Sequence, residues 1–304
     1  MRHDNAVFPR RFAELSRRAA TGLVRPIELQ SGGRTRGSEC AAPGYPHIAI
    51  NLGKYQARLS ETLAEREAAC RLRYRVFNVE LGEGLASSRG TGIDEDRFDP
   101  FCDHLVVEDR SRGEVVGTYR MQPGPLAASN LGYYSEQEFD FRPYEPVRSE
   151  VLELGRAAIA REHRSSEVLT LLWRGIAEYA RSCGLRYLIG CSSLNSCDAA
   201  EGWSIYQQLA PFLAPEEMHT QPTRAYQLPR TEEPLTGTAK VPKLLRTYIA
   251  VGARICAEPA WDREFGTIDF LTLLDLAQLS PAAKARFLPD CAWPGAPAGP
   301  LCTC

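Results

Sequence analysis

The sequence has no long hydrophobic run, and no apolar core follows its basic N-terminus. A helix that spans a bilayer needs about 18 to 20 consecutive apolar residues, and a secretory signal needs a shorter apolar core. We therefore expect a cytoplasmic protein without a membrane span. The net charge of −2 on 304 residues also gives no basis for nucleic-acid binding across the whole surface.

Patterns typical of metal sites and disulfide frameworks are missing as well. The ten cysteines include no Cys-x-x-Cys pair, and the five histidines have no ligand spacing. The pair in Cys302-Thr-Cys304 is too short and isolated to form a metal site. We therefore predict no metal centre. Four other cysteines lie inside apolar patterns, where cysteine behaves as a small hydrophobe: Cys70, Cys183, Cys191 and Cys256.

The composition that is present, 44% hydrophobic and 24% charged residues, is typical of a globular protein. Strand and helix patterns follow one another without an internal repeat, which favours one mixed α/β domain at residues 46–290. Residues 60–79 have the pattern of a long helix with Leu63 and Val79 at the ends of its apolar face. Residues 291–304 form a Pro-, Gly- and Cys-containing tail, predicted to be flexible.

Residues 1–45 differ from the rest and are predicted to be a basic, flexible extension with a Gly-, Ser- and Pro-rich end. Phe8, Phe12 and Leu15 recur at helical spacing between arginine pairs. A short basic helix of this kind could rest on the anionic inner face of a membrane. A disordered, arginine-rich leader explains the same residues equally well, so both interpretations stay open.

The segment Val151–Ile159 has the pattern of a buried strand, yet it contains Glu153 and Arg156. Charges inside a strand core are costly to desolvate, so they occur there mostly when they are paired or catalytic. Residues three apart on a regular strand point to opposite faces. A β-bulge at Gly155 would aim both charges at one cleft. The alternative is an ordinary buried ion pair.

Short motifs accompany this strand along the chain. They are Leu72-Arg-Tyr-Arg-Val-Phe77, Glu80, Asp94-Glu-Asp-Arg-Phe-Asp99, Cys102-Asp-His104, Gly117-Thr-Tyr-Arg120 and Glu153-Leu-Gly-Arg156. Together they resemble the acyl-carrier-protein-dependent N-acyltransferases of the GNAT superfamily, a group with ornithine N-acyltransferases and N-acyl amino acid synthases. The resemblance implies a single α/β GNAT-type domain. Its bent mixed sheet would be splayed at the central strand, with helices on both faces.

The activity that the resemblance implies is transfer of a long acyl chain, with or without a 3-hydroxyl group, to the amine of an amino acid. The donor would be the acyl-phosphopantetheine of acyl-carrier protein, with no tightly bound cofactor. Ornithine is the favoured acceptor, giving an N-acyl amino acid or lyso-ornithine lipid. An acyl-homoserine-lactone synthase is the alternative enzyme. A membrane-active, hemolysin-type protein is the non-enzymatic alternative, and the absence of a long apolar segment disfavours it.

One departure from the superfamily favours a carrier protein over CoA as the donor. CoA-dependent GNAT proteins have a glycine-containing loop whose backbone amides hold the pyrophosphate at a helix N-terminus. Residues 161–167 contain no glycine here, and Glu167 places negative charge at the expected phosphate position. Phosphopantetheine has a single phosphate and needs no such loop.

The expected site follows from these residue types and from the resemblance. Glu153 would orient the amine and accept its proton, while Arg156 would hold Glu153 ionised or bind the acceptor carboxylate. Backbone N–H groups around Gly155 would stabilise the oxyanion. A structural ion-pair lattice of Glu153 and Arg156 with Arg75 and Arg120 is the alternative. Further expected substrate-binding residues are Arg75, Phe77, Glu80, Asp96, Asp99, Asp103, Arg120, Ser192 and Ser193.

Within this set, Asp96, Asp99 and Asp103 would bind the ammonium groups of a cationic acceptor or cap turns. Ser192 and Ser193 would donate hydrogen bonds to the thioester. An acidic carrier protein needs a local basic patch on the enzyme. The residues nominated for this patch are Arg161, Arg164, Lys240, Lys243 and Arg246.

Overall fold

The computed structural model describes residues 46–231 and 239–287. The predicted extension at residues 1–45, with its amphipathic pattern, and the tail at residues 291–304 lie outside the described residues. In the part of the chain that the structure covers, no helix is both long enough and apolar enough to cross a membrane.

The centre of the molecule is one mixed β-sheet. Its described strands are β1 (Ala49–Leu52), β2 (Tyr55–Leu59), β3 (Asp103–Asp109), β4 (Glu114–Pro123), β5 (Val151–Ile159), β6 (Tyr187–Leu194), β7 (Arg254–Ile255), β8 (Ala260–Asp262) and β9 (Thr267–Asp275). They run in the order β1-β2-β3-β4-β5-β6-β9-β7, and β8 pairs with β9. Neighbours are antiparallel except β5 and β6, which are parallel. The predicted central strand is therefore central in the sheet.

Helices cover both faces of the sheet, as predicted. The described α-helices are α1 (Leu63–Tyr74), α2 (Gly124–Ser129), α3 (Ser166–Ser182), α4 (Ala199–Gln208), α5 (Lys243–Val251) and α6 (Pro281–Phe287). Leu72 of α1 packs against Ala158 of β5. Ala158 pairs with Thr118, whereas the neighbouring Gly117 faces Val168 of α3. Since adjacent strand residues point to opposite faces, α1 and α3 lie on opposite sides of the sheet.

Local sequence sets where the two long helices begin. At α1, the Thr62 hydroxyl accepts the N–H of Glu65, and the Glu65 carboxylate accepts the N–H of Thr62, both at 3.2 Å. This reciprocal pair is a capping box and fixes the first turn. At α3, the Ser165 hydroxyl accepts the N–H of Val168 at 3.4 Å and caps the helix, which begins at Ser166.

The end of α1 differs from the sequence prediction. The predicted helix covers residues 60–79, but α1 ends at Tyr74 and continues as a π-helical turn over Arg75–Leu81. Leu63 and Val79, expected on the buried face, are 74% and 67% exposed. A π-turn has more residues per turn than an α-helix, so it rotates Val79, which lies within it, off the predicted face. Leu63 lies before this turn, in the first turn of α1, and the π-turn does not account for its exposure. π-turns of this kind frequently occur at functional sites.

The predicted bulge in β5 is present. Between Thr118 and Arg120, β4 advances two residues while β5 advances three, from Ala158 to Gly155. The left-handed residue of the bulge is Arg156, at φ 53°, and not Gly155. Among the described residues Arg156 is the single non-glycine residue with positive φ, a conformation that costs about 1–2 kcal/mol.

β5 and β6 separate soon after they meet. Their ladder pairs Val151–Glu153 with residues 187–189 and then stops, although both strands continue. The next residue of β6 is Gly190, where an added Cβ would lie 2.3 Å from the carbonyl oxygen of Leu154. A residue without a side chain is therefore needed where the strands diverge. The sheet is splayed at its central strand, as predicted.

Candidate active site

A cavity of about 560 Å³ opens where β5 and β6 separate. Residues from both faces of the sheet line it, so it passes through the gap between the strands. The lining on one face, here named the polar compartment, comprises Arg120, Tyr134, Ser135, Glu153, Arg156, Cys191, Asp262 and Asp269. The lining on the opposite face, the apolar compartment, comprises Tyr119, Leu154, Trp173, Leu188, Tyr248, Ala253 and Leu274.

Glu153 lies in the polar compartment, next to the gap. Its carboxylate accepts the backbone N–H groups of Tyr134 and Ser135, each at 2.8 Å. The residue is 5% exposed, and burial raises the pKa of its carboxyl despite these hydrogen bonds. A buried carboxyl with a raised pKa is suited to accept a proton near neutral pH.

Arg156 belongs to a buried group of three arginines and three aspartates, the arginine–aspartate lattice: Arg73, Arg120, Arg156, Asp94, Asp96 and Asp99. Arg156 Nη2 donates to Asp96 Oδ2 at 2.9 Å, and Arg120 Nη1 donates to both Asp96 oxygens at 2.7 Å. Arg73 donates to Asp94 at 2.9 Å and to Asp99 at 2.7 Å. Charges balance inside the lattice, and it fixes the loop before β3 against the bulged strand.

Several kinds of known protein resemble the chain. Residues 72–174 match the model of the acetyltransferase (GNAT) domain. Among solved structures, FeeM, an N-acyl amino acid synthase from uncultured soil microbes, has a TM-score of 0.48 at 12% identity and covers 78% of this chain and 97% of its own. The AHL synthase LasI has a TM-score of 0.44 at 11% identity, covering 80% and 96%.

Curated relatives share more of the sequence. The L-ornithine N(alpha)-acyltransferase of Brucella abortus is 29% identical over 268 residues, covering 79% of this chain and 91% of the relative. That of Rhodobacter capsulatus is 32% identical over 243 residues, covering 74% and 92%. The chain belongs to the L-ornithine N(alpha)-acyltransferase family. It is an N-acyltransferase with a GNAT-like fold, as the sequence motifs predict.

The predicted contact between Arg156 and Glu153 is wrong for this acyltransferase. Arg156 pairs with Asp96 and, at 3.5 Å, with Asp94, because the bulge directs it toward the loop before β3. Both Glu153 and Arg156 nevertheless line the polar compartment, as expected of a bulged strand. Arg75 is exposed and lies outside both the cavity and the lattice. The sequence analysis placed Arg75 in an ion-pair lattice, but the structure has Arg73 in that position.

The aspartates expected to hold an ammonium group are already occupied. Asp96 and Asp99 bind lattice arginines, and although burial raises the pKa of each, the arginine charges outweigh it and lower both pKa values. Asp103 accepts a hydrogen bond from the Tyr179 hydroxyl at 2.5 Å. None of the three lines the cavity. In the acyltransferase they are structural.

Glu80 is also outside the cavity. Its carboxylate accepts hydrogen bonds from Arg164 at 2.5 and 2.8 Å, and this bonding lowers the pKa of Glu80. The same contact occupies Arg164, one of the residues nominated for carrier docking. Phe77, by contrast, lines the cavity from the π-helical turn together with Val76.

Gly155, Ser192 and Ser193 line the cavity, but the two serines point to opposite faces. Ser192 lies 3.3 Å from the Thr272 hydroxyl, whereas Ser193 bonds Asp269 in the polar compartment. Adjacent residues of a strand alternate, so the two serines cannot act on one group together.

The start of α5 lies at the cavity of the acyltransferase, because Lys240, Pro242 and Leu244 line it. Lys243 and Arg246, on the same segment, are exposed, as is Arg161 near the start of α3. At the start of α3, the Ser165 hydroxyl already accepts the N–H of Val168, and Glu167 lies in the first turn of the helix. This helix start has no glycine loop that could hold a diphosphate.

Sequence analysis missed five residues of the site: Tyr134, Ser135, Glu138, Asp262 and Asp269. They come from a 3₁₀ turn and from two strands near the end of the chain, so no local motif links them. The acidic character of the stretch before β5 was visible in the sequence. Its proximity to Asp269 was not, because that depends on how β6 pairs with β9.

Proposed function

We propose that this protein transfers a long acyl chain, with or without a 3-hydroxyl group, from acyl-carrier protein to the α-amine of ornithine. The observation that supports it most is the position of Glu153, at the boundary between a polar and an apolar compartment. An amine in the first compartment and an acyl chain in the second would meet beside this carboxylate. The curated relatives, all named L-ornithine N(alpha)-acyltransferases, favour ornithine as the acceptor.

The transfer step forms one bond and breaks another. The neutral α-amine attacks the thioester carbonyl carbon, and the carbonyl oxygen becomes an oxyanion. Glu153 accepts a proton from the nitrogen, directly or through water. The intermediate then collapses, the C–S bond breaks, and the phosphopantetheine leaves as a thiol after taking up a proton. The products are an amide and a free carrier thiol.

The bulge gives a place for the oxyanion. A β-bulge interrupts the ladder of hydrogen bonds, so backbone N–H groups between Gly155 and Ala157 are available to a substrate oxygen. Arg120 and Arg156 each donate to Asp96 through one Nη atom, and both residues line the polar compartment. Their remaining donors suit the α-carboxylate of the acceptor.

The residues at the start of α3 support acyl-carrier protein, and not CoA, as the acyl donor. Ser165 occupies one of the N–H groups that would hold a pyrophosphate in a CoA-dependent enzyme, and Glu167 adds a negative charge. A carrier protein would instead dock on exposed basic residues, for which Lys243 and Arg246 stand next to the cavity.

The test uses the purified full-length protein with palmitoyl-carrier protein, palmitoyl-CoA, L-ornithine and S-adenosylmethionine. We expect mass spectrometry to show N-acyl-ornithine, formed with a higher kcat/KM from the carrier-bound donor. Equal use of palmitoyl-CoA would contradict the carrier protein as donor. An acyl-homoserine lactone from S-adenosylmethionine, with no acyl-ornithine, would contradict the proposed function.

A further inference from the structure

Three buried carboxyls beside Glu153 have no part in the transfer step. Glu138, Asp262 and Asp269 are 1%, 3% and 3% exposed. Among the described residues, none of them forms an ion pair with a lysine or arginine. The lattice on the same side of the sheet, by contrast, matches each aspartate to an arginine. These three carboxyls, here named the acidic cluster, therefore lack the counter-charge that buried carboxylates normally have.

Two members of the acidic cluster meet at Cys191, which lines the polar compartment. A carboxylate oxygen of Glu138, one of Asp269 and the Cys191 sulfur all lie within 4.8 Å of one another. Asp262 is held in place by the N–H groups of Glu264 and Phe265, at 2.8 and 3.1 Å, which bind its Oδ1. Its Oδ2 accepts one hydrogen bond from the Tyr134 hydroxyl, at 3.4 Å, and as a carboxylate oxygen can accept a second.

One acceptor in the acidic cluster is unsatisfied. Oε1 of Glu138 is buried and has no hydrogen-bond donor among the described residues. Burial and the charges of Asp269 and Asp262 raise the pKa of Glu138 well above its usual value. Burial likewise raises the pKa of Asp269 to about 6. The empty cluster is short of positive charge and of a donor, and an ammonium group supplies both.

We propose that Glu138, Asp262 and Asp269 bind the distal ammonium group of the amino-acid acceptor, an inference that rests on the function proposed above. The ammonium group would then bind residues of β8, β9 and the 3₁₀ turn. It would not bind the loop aspartates, because these already pair with the arginines of the lattice. The acidic cluster would thereby make the enzyme selective for a diamino acid.

The separation from Glu153 fits such an acceptor. Glu153 pairs with Ile189, and Cys191, beside which Glu138 and Asp269 lie, follows two residues later on β6, a backbone rise of about 7 Å. The two amines of an extended α,δ-diamine are about 6 Å apart. Ser135 joins the subsites, because its N–H donates to Glu153 at 2.8 Å and its hydroxyl lies 3.4 Å from the Cys191 sulfur.

A metal ion fits the acidic cluster less well. Metal ligands must be deprotonated, and burial raises the pKa of the Cys191 thiol well above its usual value, as it does for Glu138. An ammonium group instead donates hydrogen bonds to carboxyl oxygens and tolerates one protonated carboxyl among them.

The experiment compares L-ornithine with L-norvaline, which has the same carbon chain and lacks the δ-amine. Affinity is measured by calorimetry, and kcat/KM by acyl transfer. We expect ornithine to be favoured by about 10- to 100-fold in both, the effect of one charge-assisted hydrogen-bonding site. Asp269→Asn should remove most of this preference, so that the ratio of the ornithine value to the norvaline value falls toward one for both affinity and kcat/KM.

Two controls separate recognition from folding. Asp198→Asn removes one negative charge at the N-cap of α4, outside the cavity, and asparagine caps equally well. This variant should change neither the affinity nor the kcat/KM for ornithine or for norvaline. Asp269→Asn should also raise the melting temperature, because it relieves repulsion within the acidic cluster, whereas a structural residue would lower it.

Each outcome is decisive. Equal affinity and equal kcat/KM for ornithine and norvaline, or equal losses for both in Asp269→Asn, would overturn the inference. Saturable Zn²⁺ or Ca²⁺ binding that Asp269→Asn abolishes would assign the acidic cluster to a metal and overturn it too. Ornithine that binds selectively but is never acylated would contradict the proposed function and leave the ammonium subsite standing.

Discussion

Glu153 experiences two opposed influences on its protonation. Burial raises the pKa of its carboxyl, and hydrogen bonds from Ser135 and Tyr134 lower it; burial is the larger. A general base acts when it is deprotonated, so kcat/KM should decline as the pH falls through this raised pKa. The decline should therefore begin above about 4.3, the ordinary value for glutamate.

Replacing this carboxylate tests its role directly. In Glu153→Gln, turnover should fall by about two to four decades and the acid decline in the pH profile should disappear. The new amide nitrogen would face one of the two backbone N–H donors, so a modest loss in melting temperature is expected and is measured separately. Exposed Glu162→Gln is the matched control. Near-normal turnover of Glu153→Gln at saturating substrate would remove Glu153 from the mechanism.

The left-handed backbone conformation of Arg156 has its own measurable cost in folding free energy. Arg156→Ala and Arg156→Gly both remove the contacts to Asp96 and Asp94, but only glycine adopts a positive φ without strain. The glycine variant should therefore be more stable than the alanine variant by about 1 kcal/mol in urea unfolding. Equal stabilities would show that the bulge stores no strain at this position.

At the scale of the element, the sequence identified β5 with its bounds and its bulge, because a short apolar run holding two charges and a glycine has few structural solutions. It could not supply the partners of those charges. Asp94, Asp96 and Asp99 lie in a polar loop, where three acids resemble a cation site. Asp94 and Asp99 pair with Arg73 on α1, and Asp96 pairs with Arg120 on β4 and Arg156 on β5. Side-chain pairing between distant elements leaves no mark on local periodicity.

The lattice predicts an asymmetry between two neighbouring arginines of α1. Arg73 is fully buried between Asp94 and Asp99, whereas Arg71 is 54% exposed and pairs with Glu67 one turn away. Arg73→Met removes the nearest counter-charge of two buried carboxylates, which keep only 3.5 Å contacts to Arg156 and Arg120, and should cost about 3–5 kcal/mol. Arg71→Met should cost about 0.5 kcal/mol or less. Urea unfolding of both variants checks this, and similar losses would contradict a structural lattice.

For the whole molecule, the resemblance supplied the bent mixed sheet, its splayed central strand and the helices on both faces, whereas the strand order is known only from the structure. Short strands such as β2 and β8 gave no signal, since five and three residues are too few to establish alternation. The polar compartment draws on residues from Tyr134 to Asp269, and only the completed sheet brings them together. Sequence thus predicted the catalytic strand better than the pocket around it.

Carrier docking is a property of the whole surface. Lys243→Glu with Arg246→Glu should raise the KM for the acyl-carrier protein and weaken its salt dependence, because the exposed charges that attract an acidic partner are screened by ions. Turnover at saturating carrier should persist, since neither side chain lines the cavity. The same reversal at Arg110 and Arg112, in the β3–β4 turn, is the control. Unchanged kinetics in the α5 variant would move the docking site elsewhere.

We expect the gap between β5 and β6 also to divide the molecule into two units of cooperative opening. Three residue pairs join these strands, whereas β6 and β9 share eight. Native-state hydrogen exchange should therefore resolve two groups of amides, one in β3–β5 and one in β6–β9, with different opening free energies. An acylated product lying through the gap would touch both half-sheets. Its binding should bring the two groups to a common opening free energy, so that the molecule unfolds as one unit only when its product is in place.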